Sequence, residues 1–234
     1  MDNQFKIKIY YLKVSWKSNI FLFFLYKIQI QIQLKLLYFI ILIRYNYIEV
    51  IIMNIDINKT WCFTGHRPNK LYGYKKHAEG NLKLIDKLHD ILIYLHENFE
   101  IDTFISGMAI GWDLWSAMEV LNLKNKGYKL KLICAIPCKE QEKNYSIEDK
   151  SEYYNILNNA DYIYNVTGIN YSPLCMQIRN KWMVNNSSGQ IACWDGSKGG
   201  TYNCIMYANK VLKTNRIIIN PKNFNVSYYI KTNA

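Results

Sequence analysis

From Thr60 onward the chain alternates between short apolar runs and longer segments whose apolar residues recur every three or four positions, and this alternation restricts the fold more than any other feature. Thr60–Thr64 reads as a short buried strand, broken sharply by Gly65-His66-Arg67-Pro68. His77 to Asn98 predicts a helix, with Leu82, Ile85, Leu88, Leu92 and Leu95 at helical spacing, and Ile101–Ser106 a second strand. A second helix is expected from Trp112 to Lys126, stopped by Gly127, and a third strand over Lys129–Pro137. The pattern continues as helix Glu148–Asn159, strand Tyr162–Val166, helix Cys175–Asn186, strand Gln190–Asp195, helix Thr201–Lys213 and a last strand Arg216–Asn220. Repeated strand-then-helix units with apolar strands require crossover connections. They therefore specify a doubly wound α/β fold, a mostly parallel sheet with helices on both faces.

Residues 1–52 are different in kind. They contain no Gly, Pro, Ala, Thr, Cys or His. The apolar runs Ile20–Tyr26 and Leu36–Ile43 are each too short to span a bilayer and are separated by Lys27, Gln29, Gln31, Gln33 and Lys35. Three explanations compete: a membrane-proximal anchor, a β-rich extension through the alternating Ile and Gln of residues 28–34, and translated sequence upstream of the true start. The last is preferred, because these residue types are those of AT-rich codons and orderly strand and turn signals begin at Met53. The expected organisation is an atypical extension over 1–52 and one domain over 53–234, of a length that supports a single buried core.

Charge and cysteines narrow the partners. Seven Lys/Arg against Asp2 and Glu49 leave +5 of the net +11 in residues 1–52 and +6 in the remainder. A modest positive balance favours an anionic ligand, and no arginine-rich run or basic helix stripe marks a nucleic-acid groove. Cys62, Cys134, Cys138, Cys175, Cys193 and Cys204 form no paired C-x-x-C set, and Cys134 and Cys138 have no histidine at zinc-ligand spacing. Buried reduced thiols in a cytoplasmic protein, with no metal, are expected.

In a doubly wound fold the ligand lies beyond the carboxyl ends of the strands, so the loops after them carry the chemistry. The first is Thr64-Gly65-His66-Arg67-Pro68, with His66 and Arg67 as donors to phosphate or ribose. The second runs from Ser106 and Gly107 through Gly111 to Asp113, where small residues expose the first N–H groups of a helix. Asp113 is read either as a cap or as a ribose-binding or acid/base group. The spacing does not match a dinucleotide fingerprint, which disfavours NAD. The third loop, Trp194 to Thr201, offers Asp195, Gly196, Ser197, Gly199, Gly200 and Thr201 as an anion nest, with Lys198 adding charge. Arg179, with Asn180 beside it, interrupts an otherwise apolar helix and is expected to clamp a phosphate or to pair with a carboxylate such as Asp195. Pro137, Lys139, Gln141 and Glu142 follow the third strand and are read as loop surface near the crevice.

The segments CFTGHRP, ISGMAIGWDLW, CAIPC followed by Gln141-Glu142, QIRNKWMV and WDGSKGGT, in this order, resemble the YpsA-like family of the SLOG superfamily, which includes DprA-like and LOG-type proteins. The resemblance covers about Lys59 to Asn220. It implies a Rossmann-like fold and a site for a nucleotide or nucleotide-derived ligand, with Gly107, Gly111 and Asp113 in one glycine-rich loop and Gly199, Gly200 and Thr201 in the second. LOG-type hydrolases carry a glutamate soon after the second loop; Asn203 and Cys204 stand there in this chain. Binding or sensing of such a ligand is the leading expectation, with Trp112 or Trp194 stacking on a base. The alternatives are cleavage of an N-glycosidic or phosphoester bond with Asp113 as catalytic group, and single-stranded nucleic-acid binding of the DprA kind. Self-association through a Tyr- and Trp-rich surface is a further expectation.

The start at Met53 has a direct check: N-terminal sequencing of the protein from its native host is expected to begin there. Any residue before Met53 contradicts that reading.

Overall fold

The computed structural model describes residues 27–37, 55–212 and 215–230. They belong to two units, Met1–Asn54 and Ile55–Ala234. In the first, residues 27–37 are helical and all exposed. The alternating Ile and Gln of this stretch therefore do not make the β-rich extension that their period suggests. A lone strand leaves its backbone N–H and C=O groups without partners, whereas a helix closes those bonds within the segment. The apolar run Ile20–Tyr26, most of the run Leu36–Ile43, and Met53 lie outside the described residues. No helix among the described residues is long and apolar enough to cross a membrane.

The second unit holds strands β1 (Thr60–Gly65), β2 (Thr103–Ser106), β3 (Lys131–Ile136), β4 (Tyr162–Asn165), β5 (Gly189–Cys193), β6 (Arg216–Ile219) and β7 (Val226–Tyr229). The helices are α1 (Glu79–Phe99), α2 (Trp112–Asn125), α3 (Ile147–Asn159), α4 (Cys175–Asn185) and α5 (Gly200–Val211). The sheet order is β4-β3-β2-β1-β5-β6-β7. Pairing is parallel from β4 to β6, and only β7 runs antiparallel. This is the Rossmann-like doubly wound α/β arrangement. Right-handed crossovers put α1, α2 and α3, which pack on one another, on one face, and the packed pair α4 and α5 on the other.

The strands form where they do because they are buried along their length: β1, β2, β3 and β5 are almost entirely inside. Phe63 and Phe104, from adjacent strands, stack with ring centroids 5.7 Å apart at the centre of the core. α1 closes over them with the stripe Leu84, Ile85, Leu88, Ile91, Leu92 and Leu95. Leu82 falls off this stripe and is 40% exposed. All six cysteines are buried and unpaired.

One strand lies beyond the element expected to be last. After β6 the chain turns back through Phe224, which has φ 59°, with Phe224 N–H donating to Asn220 O and Asn220 N–H to Asn225 O. β7 then pairs along β6. It is mostly exposed, so it lacks the apolar run by which the other strands announce themselves.

The stripe on α1 separates two superficially similar leucines. Leu88→Ala, at a fully buried site, is expected to lower the unfolding free energy by about 2–5 kcal/mol, and Leu82→Ala by no more than about 0.5 kcal/mol. Urea titration of both variants measures this, and equal losses would contradict the packing.

Candidate functional site

Strand order reverses between β1 and β5: the chain leaves β1 toward β2 on one side and β5 toward β6 on the other. Loops diverging from such a switch point leave a crevice at the carboxyl edge of the sheet. A cleft of about 350 Å³ lies there. Its walls come from the loop after β1 (Gly65, His66, Arg67), from Ala109 and Asp113 around the start of α2, from Arg179 and Asn180 on α4, and from Ser197 to Thr201 leading into α5.

Arg179 is the central group. It is 4% exposed, and its Nη1 lies 3.5 Å from Asp113 Oδ2. That separation lets the charges attract without making a hydrogen bond. Nη2 reaches only the sulfur of Met176, at 3.9 Å, while Nε and Nη1 have no hydrogen-bond partner. The guanidinium lies directly against Gly107, where any β-carbon would overlap it. Gly107 is thus a glycine because the arginine passes there. Burial pushes the Asp113 carboxyl above its usual range, and nearby Arg179 and Arg67 pull it partly back. Asp113 is not the cap of α2; that place belongs to Gly111, with φ 90°.

The loop beneath is braced from inside. Ser106 Oγ donates to Asp113 O and accepts from Met108 N–H, so this buried hydroxyl is used within the loop and does not line the cleft. Gln141 Nε2 donates to Gly107 O, and Tyr145 Oη to Met108 O. Gln141, read as loop surface from sequence, is buried and acts as a strut. Trp112 is fully buried against Gly65, so it cannot stack on a base in the cleft. Trp194 donates from Nε1 to Ser197 O and is outside the cleft lining.

The third loop closes the opposite wall. Gly199, with φ 149°, caps α5, and neither Gly199 nor Gly200 has an atom within 4 Å of where a β-carbon would stand. Gly199, Gly200 and Thr201, at the start of α5, all line the cleft. Thr201 Oγ1 donates to Gly65 O, which ties this helix to the loop after β1. Lys70, which the sequence reading passed over, donates to Ser197 Oγ and lines the cleft with Asn69.

Asp195 and Gly196 stand behind the cleft. Asp195 does not pair with Arg179: its Oδ1 lies 2.8 Å from His66 Nε2 and accepts from Ser197 N–H, and its Oδ2 lies 2.9 Å from Lys222 Nζ. Burial alone would raise this carboxyl, but the bonds from Ser197, Lys222 and His66 outweigh it and hold it well below the usual range. Burial pushes His66 down against the pull of Asp195. The Asp195 N–H also lies 3.3 Å from His66 Nε2, so a proton on Nε2 serves the carboxylate and a proton on Nδ1 lets Nε2 accept from that N–H. Among the described residues no group of three or more His, Cys, Asp or Glu is arranged to hold a metal ion.

Comparison with known proteins follows the same residues. The YspA SLOG family model matches residues 61–220. The chain is 39% identical over 140 residues to the uncharacterized SPbeta prophage-derived protein YoqJ of Bacillus subtilis (strain 168), across 55% of this chain and 82% of that one. It is 32% identical over 146 residues to the UPF0398 protein YpsA of the same organism, across 61% and 79%. Among solved structures it is similar to DNA processing protein A from Helicobacter pylori, described for its single-stranded DNA binding mode, with TM-score 0.48 and 17% identity over 71% of this chain and 67% of that one.

The Asp195 junction has a pH signature. Its folded pKa lies below the unfolded one, so its stabilisation is complete above the unfolded carboxylate value of about 3.9 and is lost as pH falls toward the folded value. Asp195→Asn is expected to cost about 1–3 kcal/mol near neutrality. Denaturation across pH should show the gap to wild type closing in acid; a gap that stays constant would assign the cost to geometry and not to charge.

Proposed function

We propose, from the premise that the chain belongs to the YspA SLOG family, that the cleft binds a nucleotide or nucleotide-derived small molecule by its phosphate. The observation that carries this reading is the Arg179 guanidinium at the cleft wall, which makes no hydrogen bond to its countercharge Asp113 and stands with Arg67, Lys70 and Lys198 around one cavity. A buried charged donor left without an acceptor is costly, and an anion is the partner that relieves it. The start of α5 lines the same cleft and its first N–H groups supply a second set of donors, while Lys70, Lys198 and Arg67 add positive field. A volume of about 350 Å³ falls within the range of about 300–1,000 Å³ usual for small-molecule sites. His66, held by Asp195, lines the same cleft as a polar contact for a ribose or base.

A hydrolytic reading is favoured by one feature, the buried Asp113 carboxyl with its raised pKa at the cleft wall. Such a group can serve as an acid or stabilise a developing cation at an N-glycosidic bond. Turnover of a bound nucleotide that disappears in Asp113→Asn would select it. Single-stranded nucleic acid, drawn by Arg67, Lys70 and Lys198, would instead bind with steep salt dependence.

The test is thermal shift of the full chain against nucleotides, cyclic nucleotides, ADP-ribose and NAD. A ligand at 100 times its Kd stabilises by about 2.7 kcal/mol. Phosphorylated ligands are expected to raise the Tm above any effect of the matching nucleosides. Gly200→Asp, at a site with room for the side chain, should fold as well as wild type yet abolish the shift. No response to any phosphorylated ligand, or one that Gly200→Asp leaves intact, would overturn the reading.

A further inference from the structure

The two carboxylates at the cleft and behind it each have a cation already: Asp113 faces Arg179, and Asp195 lies 2.9 Å from Lys222 Nζ. Lys70 has neither. Its Nζ donates to Ser197 Oγ at 2.9 Å and reaches Lys198 O at 3.5 Å, a hydroxyl and a carbonyl that carry no charge. The ammonium therefore spans from the loop after β1 to the loop after β5, along residues that all line the cleft, and rests on neutral acceptors.

The backbone beneath this side chain is fixed. Pro68 opens a single 3-10 turn, Pro68–Lys70, in which Lys70 N–H donates to Arg67 O and Leu71 N–H to Pro68 O. Pro68 is buried, and its ring stands where a β-carbon on Gly111 would have to go. Two residues on, Tyr72 N–H donates to Asn81 Oδ1. The Lys70 side chain, by contrast, is exposed. It can exchange Ser197 for an acceptor of opposite charge without any movement of the chain. A phosphate esterified on both sides brings one negative charge, whereas a terminal phosphomonoester brings about 1.5 to 2 near neutrality, its second ionisation lying near pH 6. Arg179, at the buried wall, and the start of α5 are placed for the first charge, and Lys70, at the exposed rim beside Lys198, for the second.

We infer that Lys70 is the specificity-determining residue of the cleft: its ammonium leaves Ser197 Oγ for the second negative charge of a terminal phosphomonoester, so monoesters are preferred to the doubly esterified phosphates of NAD, ADP-ribose and cyclic nucleotides. The inference rests on the proposed function, in which the cleft holds a phosphate at all. Nucleotides and sugar phosphates both present a terminal monoester, and Lys70 reads what they share.

Calorimetric titration of the full chain with adenosine 5′-monophosphate, its methyl ester and ribose 5-phosphate tests this, beside Lys70→Met and Lys70→Arg, with Tm checking that each variant folds. The ester differs from the monophosphate by one methyl group and one charge. Near neutrality the monophosphate is expected to bind wild type about tenfold or more tighter than the ester, with the gap narrowing as pH falls below about 6. Lys70→Met should close the gap by weakening the monophosphate, and Lys70→Arg should keep it. Ribose 5-phosphate showing the same dependence on Lys70 supports the reading for sugar phosphates as well as nucleotides. An ester that binds as tightly as the monophosphate, or a gap that survives Lys70→Met, overturns the inference while leaving the cleft a phosphate site. Binding of none of the three also overturns it, and only silence across the thermal-shift panel as well would take the proposed function with it.

Discussion

A guanidinium carried into a nearly dry interior costs several kcal/mol unless its charge and its donors are met, and the carboxyl end of this sheet is organised around meeting that demand for Arg179. The side chain comes from α4, on one face of the sheet, and its countercharge Asp113 comes from α2, on the other. They can approach only where the two helix layers lean over the ends of the strands. That place is the switch point, and Gly107 is the gap through which the contact is made. The pair therefore fixes the distance between the two layers at the mouth of the cleft, and at 3.5 Å it leaves guanidinium donors unused.

The site divides into a braced floor and an open wall. Ser106, Gln141 and Tyr145 each bond to the backbone of the loop before α2, so the position of Asp113 follows from contacts that no ligand has to supply. The wall at Gly199 and Gly200 has open space where their β-carbons would stand, with Ser197, Lys198 and Thr201 beside it. Behind it Asp195 joins the loops after β1, β5 and β6 through His66, Ser197 and Lys222. A carboxylate that gathers three loops holds the nest in shape without standing in it. Under the proposed function these donors are already in place, and preorganised donors lose little freedom on binding.

Much of this was legible in the chain. Strands buried on both faces write themselves as apolar runs, and the loops after β1 and β5 carry glycines and donors that have no better use. Gly65, His66, Arg67, Asp113, Arg179, Ser197, Gly199, Gly200 and Thr201 all line the cleft. What escaped depends on tertiary placement. β7 is too exposed to leave an apolar signal, and Lys222 lies far along the chain from the carboxylate it meets. Gln141 reads as loop surface because nothing local to it reveals that Gly107 O will be its partner. Trp112 reads as a stacking platform until its burial against Gly65 is known. Arg179 was visible as an oddity in an apolar helix, but the choice between Asp113 and Asp195 as its partner is a matter of which helix leans over which strand.

The distribution of charge separates two regions of the surface. At the switch point, Arg67, Lys70, Arg179 and Lys198 face a single cleft-lining carboxylate, Asp113, so the cleft carries an excess of positive charge. From Asp161 to Arg179 the sequence holds no charged residue between, and exposed Lys139 is set beside this segment by its N–H bond to Ile169 O. α4 links the two: its first turns, with Leu174 before them, expose Ile178 to solvent while Arg179, the next residue, turns into the cleft. Neighbouring residues on a helix point about 100° apart, so this one short helix serves both surfaces. Trp182, further along the same helix, stacks on Tyr164 and so ties the backbone that carries Arg179 to β4.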